Sequence, residues 1–178
     1  MKIPETFVAI DLETTGLEFE KDEIIEIALV RFVNGKPFES CDFLVKPSQT
    51  LRPFIEHLTG ITSEDLANAD DFPAIAEKVF SFIGDAPLVA HNAQFDFRFL
   101  KNAFARVGVP FDSHPVFDSL ALSRIAFQNV ANHKLETLLK YLKIEQIQIL
   151  QLFFLHLTLN HNLYLHTLQP LKIFYHYF

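Results

Sequence analysis

Downstream of Glu145 the chain has no aspartate and no glutamate. All 22 acids lie at or before that residue, and Lys172 is the only lysine or arginine beyond it. The break divides the 178 residues into a segment 1–145 that reads as one domain and an apolar tail, 146–178. Basic residues are also scarce. A net charge of −7 argues against the broad basic surface that grips duplex DNA. It leaves room for a nucleic acid end held where metal ions supply the positive charge. The single cysteine, Cys41, excludes an internal disulfide and fits the reducing cytoplasm. Long apolar runs are missing as well. Asp11 and Glu13 interrupt the first apolar stretch, which is therefore no signal peptide. Gln, His and Asn break the tail too often for a transmembrane helix, so no membrane partner is expected. With 49% hydrophobic and 21% charged residues, the composition is globular rather than disordered.

What the chain does have is concentrated first in Phe7-Val8-Ala9-Ile10-Asp11-Leu12-Glu13-Thr14-Thr15-Gly16. An apolar run that reads as a buried strand ends in two carboxylates one residue apart. Residues i and i+2 of a strand share a face, roughly 7 Å apart at a rise of about 3.3 Å per residue. Two such carboxylates repel each other and are costly to desolvate. A hard divalent ion such as Mg²⁺ or Mn²⁺, which prefers oxygen ligands, removes that cost. The alternative is a strand that runs out into solvent through a Thr-Thr-Gly turn.

Glu23 to Phe32 reads as a second strand, and Asn34-Gly35 as a hairpin turn. Phe43-Leu44-Val45 makes a short third strand before Pro47. Thr62-Ser63-Glu64-Asp65 and Asp71-Phe72-Pro73 mark helix starts. Phe72, Ile75, Ala76, Val79, Phe80 and Ile83 trace an apolar helical stripe that stops at Gly84. Leu88-Val89-Ala90 is a short buried strand, Gln94 to Val107 a helix, and Val116-Phe117 another strand with a helix from Ser119. Leu135, Leu138, Leu139 and Leu142 form the core face of a further helix. Hairpin strands followed by strand–helix alternation predict an α/β fold: three antiparallel strands, then two parallel ones, in a mixed sheet flanked by helices.

A second cluster, His91-Asn92-Ala93-Gln94-Phe95-Asp96, lies where a buried strand hands over to a helix, the usual place for site residues in open α/β sheets. Asp96 alone is an ordinary acid of a first helical turn. Beside Asp11 and Glu13 it supplies a third oxygen ligand. Asn92 suits either a phosphate or sugar contact or a helix cap, and Phe95 and Phe99 suit the core.

These residues resemble the DEDD exonuclease superfamily, and within it the epsilon-type proofreading exonucleases of bacterial DNA polymerase III. Asp11-Leu12-Glu13-Thr14-Thr15-Gly16 is similar to the first family motif and His91 to Asp96 to the second. Leu58-Thr59-Gly60-Ile61-Thr62 is similar to a segment that helps form the pocket for the 3′-terminal nucleotide. Asp118-Ser119-Leu120 matches a further family position, where an N-cap role is the simpler reading. The resemblance covers about residues 6 to 145. It implies a ribonuclease-H-like fold and 3′–5′ hydrolysis with two divalent ions, Mg²⁺ or Mn²⁺, straddling the scissile phosphate. Asp11, Glu13 and Asp96 would be the catalytic metal ligands. Thr14, Thr15, Gly16 and Asn92 would meet the terminal nucleotide, and Leu17 and Ile61 would pack on its base unless both are core residues. Single-stranded or frayed DNA 3′ ends are the implied substrate, with a DNA polymerase as candidate partner. An RNA-trimming enzyme and a non-catalytic nucleic-acid or polymerase-binding module are the alternatives.

The family's third motif, a His or Tyr followed by an Asp, is absent where it should follow the Leu135–Leu142 helix. His156, His161, His166 and His176 have no acid near them in the tail. A reading-frame change near Glu145-Gln146, a degenerate member that binds without cutting, and a substitute base and ligand are the competing explanations. The abrupt change in composition favours the first. Within the tail, alternating leucines suggest a strand or hairpin about Asn160-His161-Asn162, an aggregation hazard if left unpacked.

Overall fold

The computed structural model describes residues 4–143. The first strand, β1 (Phe7–Thr14), is apolar from Phe7 to Ile10, where it is covered on both sides. Val8, Ile10 and Leu12 enter the main core, whereas Phe7 and Ala9 enter a second cluster on the opposite face with Val30, Phe32 and Val89. β2 (Ile24–Val33) and β3 (Lys36–Leu44) form the expected hairpin, and Asn34 and Gly35 both take positive φ, 52° and 71°. That pair of conformations matches the twist of the flanking strands.

β3 begins at Lys36, well before the short strand expected at 43–45. It is an edge strand whose exposed Lys36, Phe38, Glu39 and Ser40 hide it from apolar patterning, and backbone pairing with β2 sustains it instead. α1 (Pro53–Thr59) is an element not placed from the sequence. This short helix starts on a proline, ends at left-handed Gly60 and is pinned by buried Ile55. α2 (Ser63–Ala67) begins at the helix start expected at Thr62 to Asp65, which closes as a capping box between Thr62 and Asp65.

α3 (Phe72–Ile83) is capped by Asp71, which accepts from the Ala74 N–H at 3.1 Å. Then come β4 (Leu88–Ala90), α4 (Gln94–Arg106), β5 (Val116–Asp118), α5 (Ser119–Ala126) and α6 (Leu135–Leu142). The sheet order is β3-β2-β1-β4-β5, with β2 antiparallel to its neighbours and β4 and β5 parallel to β1. This is the expected mixed sheet. Ile75, Val79 and Ile83 of α3 meet Phe99, Leu100 and Phe104 of α4 in the main core, which fixes α4 against β1. Among the described residues no helix is long and apolar enough to cross a membrane. The predicted strand about Asn160 lies outside the described residues.

Candidate active site

The geometry of the site follows from how β1 ends. The Val8 N–H donates to the Pro87 carbonyl at 2.9 Å, so even-numbered N–H groups of β1 point toward β4. The β1–β4 pairing spans only Val8 and Ala9, and β4 stops at Ala90. Further along, Asp96 replaces it, its Oδ1 accepting the Leu12 N–H at 3.1 Å. A carboxylate from the first turn of α4 thus closes the hydrogen-bonding edge of β1 between Asp11 and Glu13.

Asp11 and Glu13 point to the face opposite Leu12. In the β1–β2 register Glu13 stands directly across from Glu26, and Asp11 across from Ala28, diagonal to Glu26. Three carboxylates from the two strands therefore share one patch, with Asp96 at its edge. Asp96 is 4% exposed. Burial pushes its carboxyl well above the usual range, and the charges of Asp11 and Glu13 push it further, against hydrogen bonding to backbone N–H groups. Asp11 is open to solvent yet enclosed by protein at longer range, and loss of surrounding water raises it to about 6. Glu26 is raised to about 7 by burial, then by Asp11 and Asp42. No cationic side chain offsets the shifts of Asp11 or Asp96 among the described residues. The donors are hard oxygens under mutual repulsion, which suits a hard divalent ion. No three His, Cys, Asp or Glu side chains among the described residues are gathered closely enough to enclose one.

The loop after β1 is heavily cross-linked. Thr14 Oγ1 donates to the Gly16 carbonyl at 2.6 Å. The Thr15 N–H reaches the Glu23 carbonyl at 2.9 Å, and Thr15 Oγ1 accepts the Glu23 N–H at 3.0 Å. The Thr15 carbonyl accepts from the Arg52 guanidinium at 2.6 Å. Asp22 folds back under the loop and accepts the Glu18 N–H at 2.8 Å. A Cβ on Gly16 would lie 2.4 Å from the Asp22 carboxylate, so any larger residue would have to push that carboxylate out of its place against the Glu18 N–H. At the second motif, Asn92 is left-handed, with φ 68°. Its N–H donates to Asp118 Oδ1 at 3.0 Å, and the same oxygen caps α5 by accepting the Leu120 N–H at 2.9 Å.

A family model described as Exonuclease, RNase_T, matches residues 8–149. The chain belongs to this exonuclease family. It is 39% identical over 144 residues to the PolC-type DNA polymerase III of Bacillus cereus, a match covering 81% of this chain and 10% of that protein. It is 38% identical over 145 residues to the 3′-5′ exonuclease DinG of Bacillus subtilis, covering 81% of this chain and 16% of that one. The chain thus spans a small part of the length of these curated relatives. Among solved structures, a zinc-ion-bound E. coli ExoI–ssDNA complex superposes with a TM-score of 0.72 at 21% identity, over 85% of this chain and 39% of the other. That likeness is one of fold.

Within this exonuclease domain the residues singled out in the sequence separate into groups. Asp11, Glu13 and Asp96 lie in one another's electrostatic field. Thr15 has its N–H, carbonyl and hydroxyl committed inside the protein, so it acts as a tether of the loop. Leu17 is 83% exposed, whereas Ile61 is 8% exposed and packs with Ile25, Leu51, Ile55 and Leu66. Asn92 presents an exposed side chain beyond its strained backbone. Phe99 is core and Phe95 packs against it, the ring centroids 4.9 Å apart. Phe97, which the sequence did not place, lies against Phe111. Glu26, Arg52 and Asp22 were overlooked. For Glu26 the signal was an acid inside the apolar run Ile24-Ile25-Glu26-Ile27; for the other two there was none.

Proposed function

We propose that this chain is a 3′–5′ exonuclease domain that acts on single-stranded or frayed DNA 3′ ends with divalent ions held at Asp11, Glu13 and Asp96. The observation that carries the reading is the placement of Asp96, a carboxylate buried against the Leu12 N–H at the end of β1, raised first by burial and then by Asp11 and Glu13, with no cationic side chain offsetting it among the described residues. When bound, two Mg²⁺ or Mn²⁺ ions supply charge stabilisation at the phosphate and activate the attacking water. The protein's own part is positional. Asp96 is locked by the Leu12 N–H and Asp11 stays open to solvent, while the tethered Thr14–Gly16 turn and the exposed Leu17 would meet the terminal nucleotide. Frayed ends would be preferred because unpairing them costs less. Kinship with PolC-type DNA polymerase III and the 3′-5′ exonuclease DinG supports a DNA substrate and a DNA polymerase as partner, in the cytoplasm.

A second reading, a nucleic-acid-binding module with little or no cleavage, rests on one specific observation. No acid follows Glu145, so the third motif of the superfamily has no carboxylate to offer. The domain 1–145 would then bind without efficient turnover, with the tail 146–178 the product of a frame change. A positioned general base contributes about 10²–10⁴-fold, and a missing ligand adds to the loss.

One experiment separates the readings. A 5′-labelled single-stranded DNA oligonucleotide, and its RNA counterpart, are incubated with the full chain in Mg²⁺ or Mn²⁺, with Asp96→Asn as control. A DNA ladder shortening from the 3′ end and abolished by the substitution establishes the exonuclease. Metal-dependent binding without shortening establishes the module. Restored cleavage after residues 146–178 are replaced by a segment carrying His and Asp at the third-motif spacing would trace the defect to the tail.

A further inference from the structure

His91 is the one titratable side chain of the second motif that the proposed chemistry does not use, and it is the most cross-linked. Its ring is partly buried directly after β4, with Nε2 2.9 Å from the His133 carbonyl and Nδ1 2.9 Å from Ser119 Oγ. A carbonyl only accepts, so Nε2 carries the proton, and Nδ1 accepts from the Ser119 hydroxyl. The partners are themselves held. Ser123 Oγ donates to the Leu120 carbonyl at 2.8 Å and lies 3.2 Å from His133 Nδ1, and Ser123 is buried. One residue on, the Asn92 N–H is fixed by Asp118. His91 and Asn92 are therefore bolted to the α5 N-terminus and to the segment before α6, across 26 to 42 residues of sequence.

This web clamps a strained turn. Asn92 sits at φ 68°, a conformation that costs a non-glycine residue energy and persists only where its surroundings enforce it. The Asn92 carbonyl accepts the Phe95 N–H at 2.9 Å and the Ala93 carbonyl accepts the Phe97 N–H at 3.0 Å, so the turn is the seed of α4. Asp96 lies between those two donors in the first helical turn. Its aim at β1 therefore depends on where the turn is held.

We propose that His91 is a positioning residue: by tying the left-handed turn at Asn92 to Ser119 and His133, it fixes the start of α4 and so the aim of the Asp96 carboxylate at the proposed metal site. The inference rests on the reading of Asp96 as a metal ligand, and the test keeps the two apart. Mn²⁺ affinity of the folded full chain is titrated by electron paramagnetic resonance of the free ion, with the melting temperature of the metal-free protein recorded alongside. His91→Phe keeps an aromatic ring and loses both bonds, and its Kd for Mn²⁺ should rise by on the order of tenfold, as for residues that orient metal ligands. His91→Gln can place an amide N–H toward the His133 carbonyl, and should recover most of the affinity.

A lowered melting temperature with unchanged Mn²⁺ affinity in His91→Phe, while Asp96→Asn loses binding, would overturn the positioning role and leave a purely structural one. Unchanged affinity in Asp96→Asn would instead overturn the ligand reading, and the inference with it. Should His91→Phe fail to fold, Ser119→Ala, which removes a single bond to the ring, carries the same comparison with a smaller expected shift.

Discussion

Asp96 holds β1 and α4 together through one hydrogen bond, accepted from the Leu12 N–H at 3.1 Å, while two neighbouring acids oppose its charge. Acceptor and charge are separable by substitution. Asp96→Asn keeps an oxygen for Leu12 and removes the repulsion, so the metal-free protein should melt no lower than the parent. Asp96→Ala leaves a buried N–H without a partner and should cost about 1–3 kcal/mol. Both should lose the rise in melting temperature that Mn²⁺ gives the parent. Denaturant unfolding with and without Mn²⁺ checks this, and a retained metal shift in either variant would remove Asp96 from the ligand set.

Stability should also fall as pH rises through the window set by the raised carboxyls. In the unfolded chain these acids ionise near pH 4. In the fold Asp11 keeps its proton to about 6 and Glu26 to about 7, and Asp96 is raised too. Between those limits the folded state binds more protons than the unfolded one. The stability these groups contribute is therefore present at low pH, is lost as pH climbs through 6 and 7, and the penalty is complete above that. Glu26→Gln should flatten the decline and raise the metal-free melting temperature at pH 8, by about 2–4 °C for each kcal/mol recovered. Melting curves of parent and variant from pH 5 to 8 give the difference, and parallel profiles would count against coupling at Glu26.

At Gly16 the constraint is space. An added Cβ would meet the Asp22 carboxylate at 2.4 Å, and Asp22 is held by the Glu18 N–H. Gly16→Ala should cost about 1–3 kcal/mol, the usual range for overpacking. The pair Gly16→Ala with Asp22→Ala should cost less than the two single losses summed, because the second change removes what the first collides with. Additive losses in urea denaturation would mean the clash is relieved elsewhere.

How far the sequence foretold this arrangement depended on what each element buries. β1, α3 and α4 were legible because each buries a long apolar face, and Asn34-Gly35 fixed the hairpin because both residues need positive φ. β3 was not, since an edge strand turns polar side chains to solvent while its backbone does the pairing. The acids of the site were legible one by one, through Asp11 and Glu13 on a strand and Asp96 opening a helix. Glu26 was not, because its place opposite Glu13 is a matter of register between strands, which no local pattern encodes. The tethers Thr15–Arg52 and His91–His133 join residues 37 and 42 positions apart and leave no trace in spacing.

Leu17 and Ile61 entered as equal candidates for packing on a terminal base, and their surroundings now set different expectations. Leu17 is 83% exposed, two residues past the tethered Thr15, so truncating it removes little from the core. Leu17→Ala should leave the melting temperature within about 1 °C, because exposed substitutions change stability little. It should also weaken binding of a single-stranded DNA 3′ end several-fold, as expected when part of the roughly 1.5–3 kcal/mol gained by burying a leucine side chain is lost. Ile61 belongs to the cluster of Ile25, Leu51, Ile55 and Leu66 that seats α1 and α2 on the sheet. Ile61→Asn would bury an amide with no partner and should cost about 2–5 kcal/mol, with DNA affinity of the remaining folded fraction little changed. Fluorescence anisotropy with a labelled oligonucleotide, read beside thermal melts, distinguishes the two positions. Weakened binding by Ile61→Asn at intact stability would return Ile61 to the nucleotide pocket, and unaltered binding by Leu17→Ala would take Leu17 out of it.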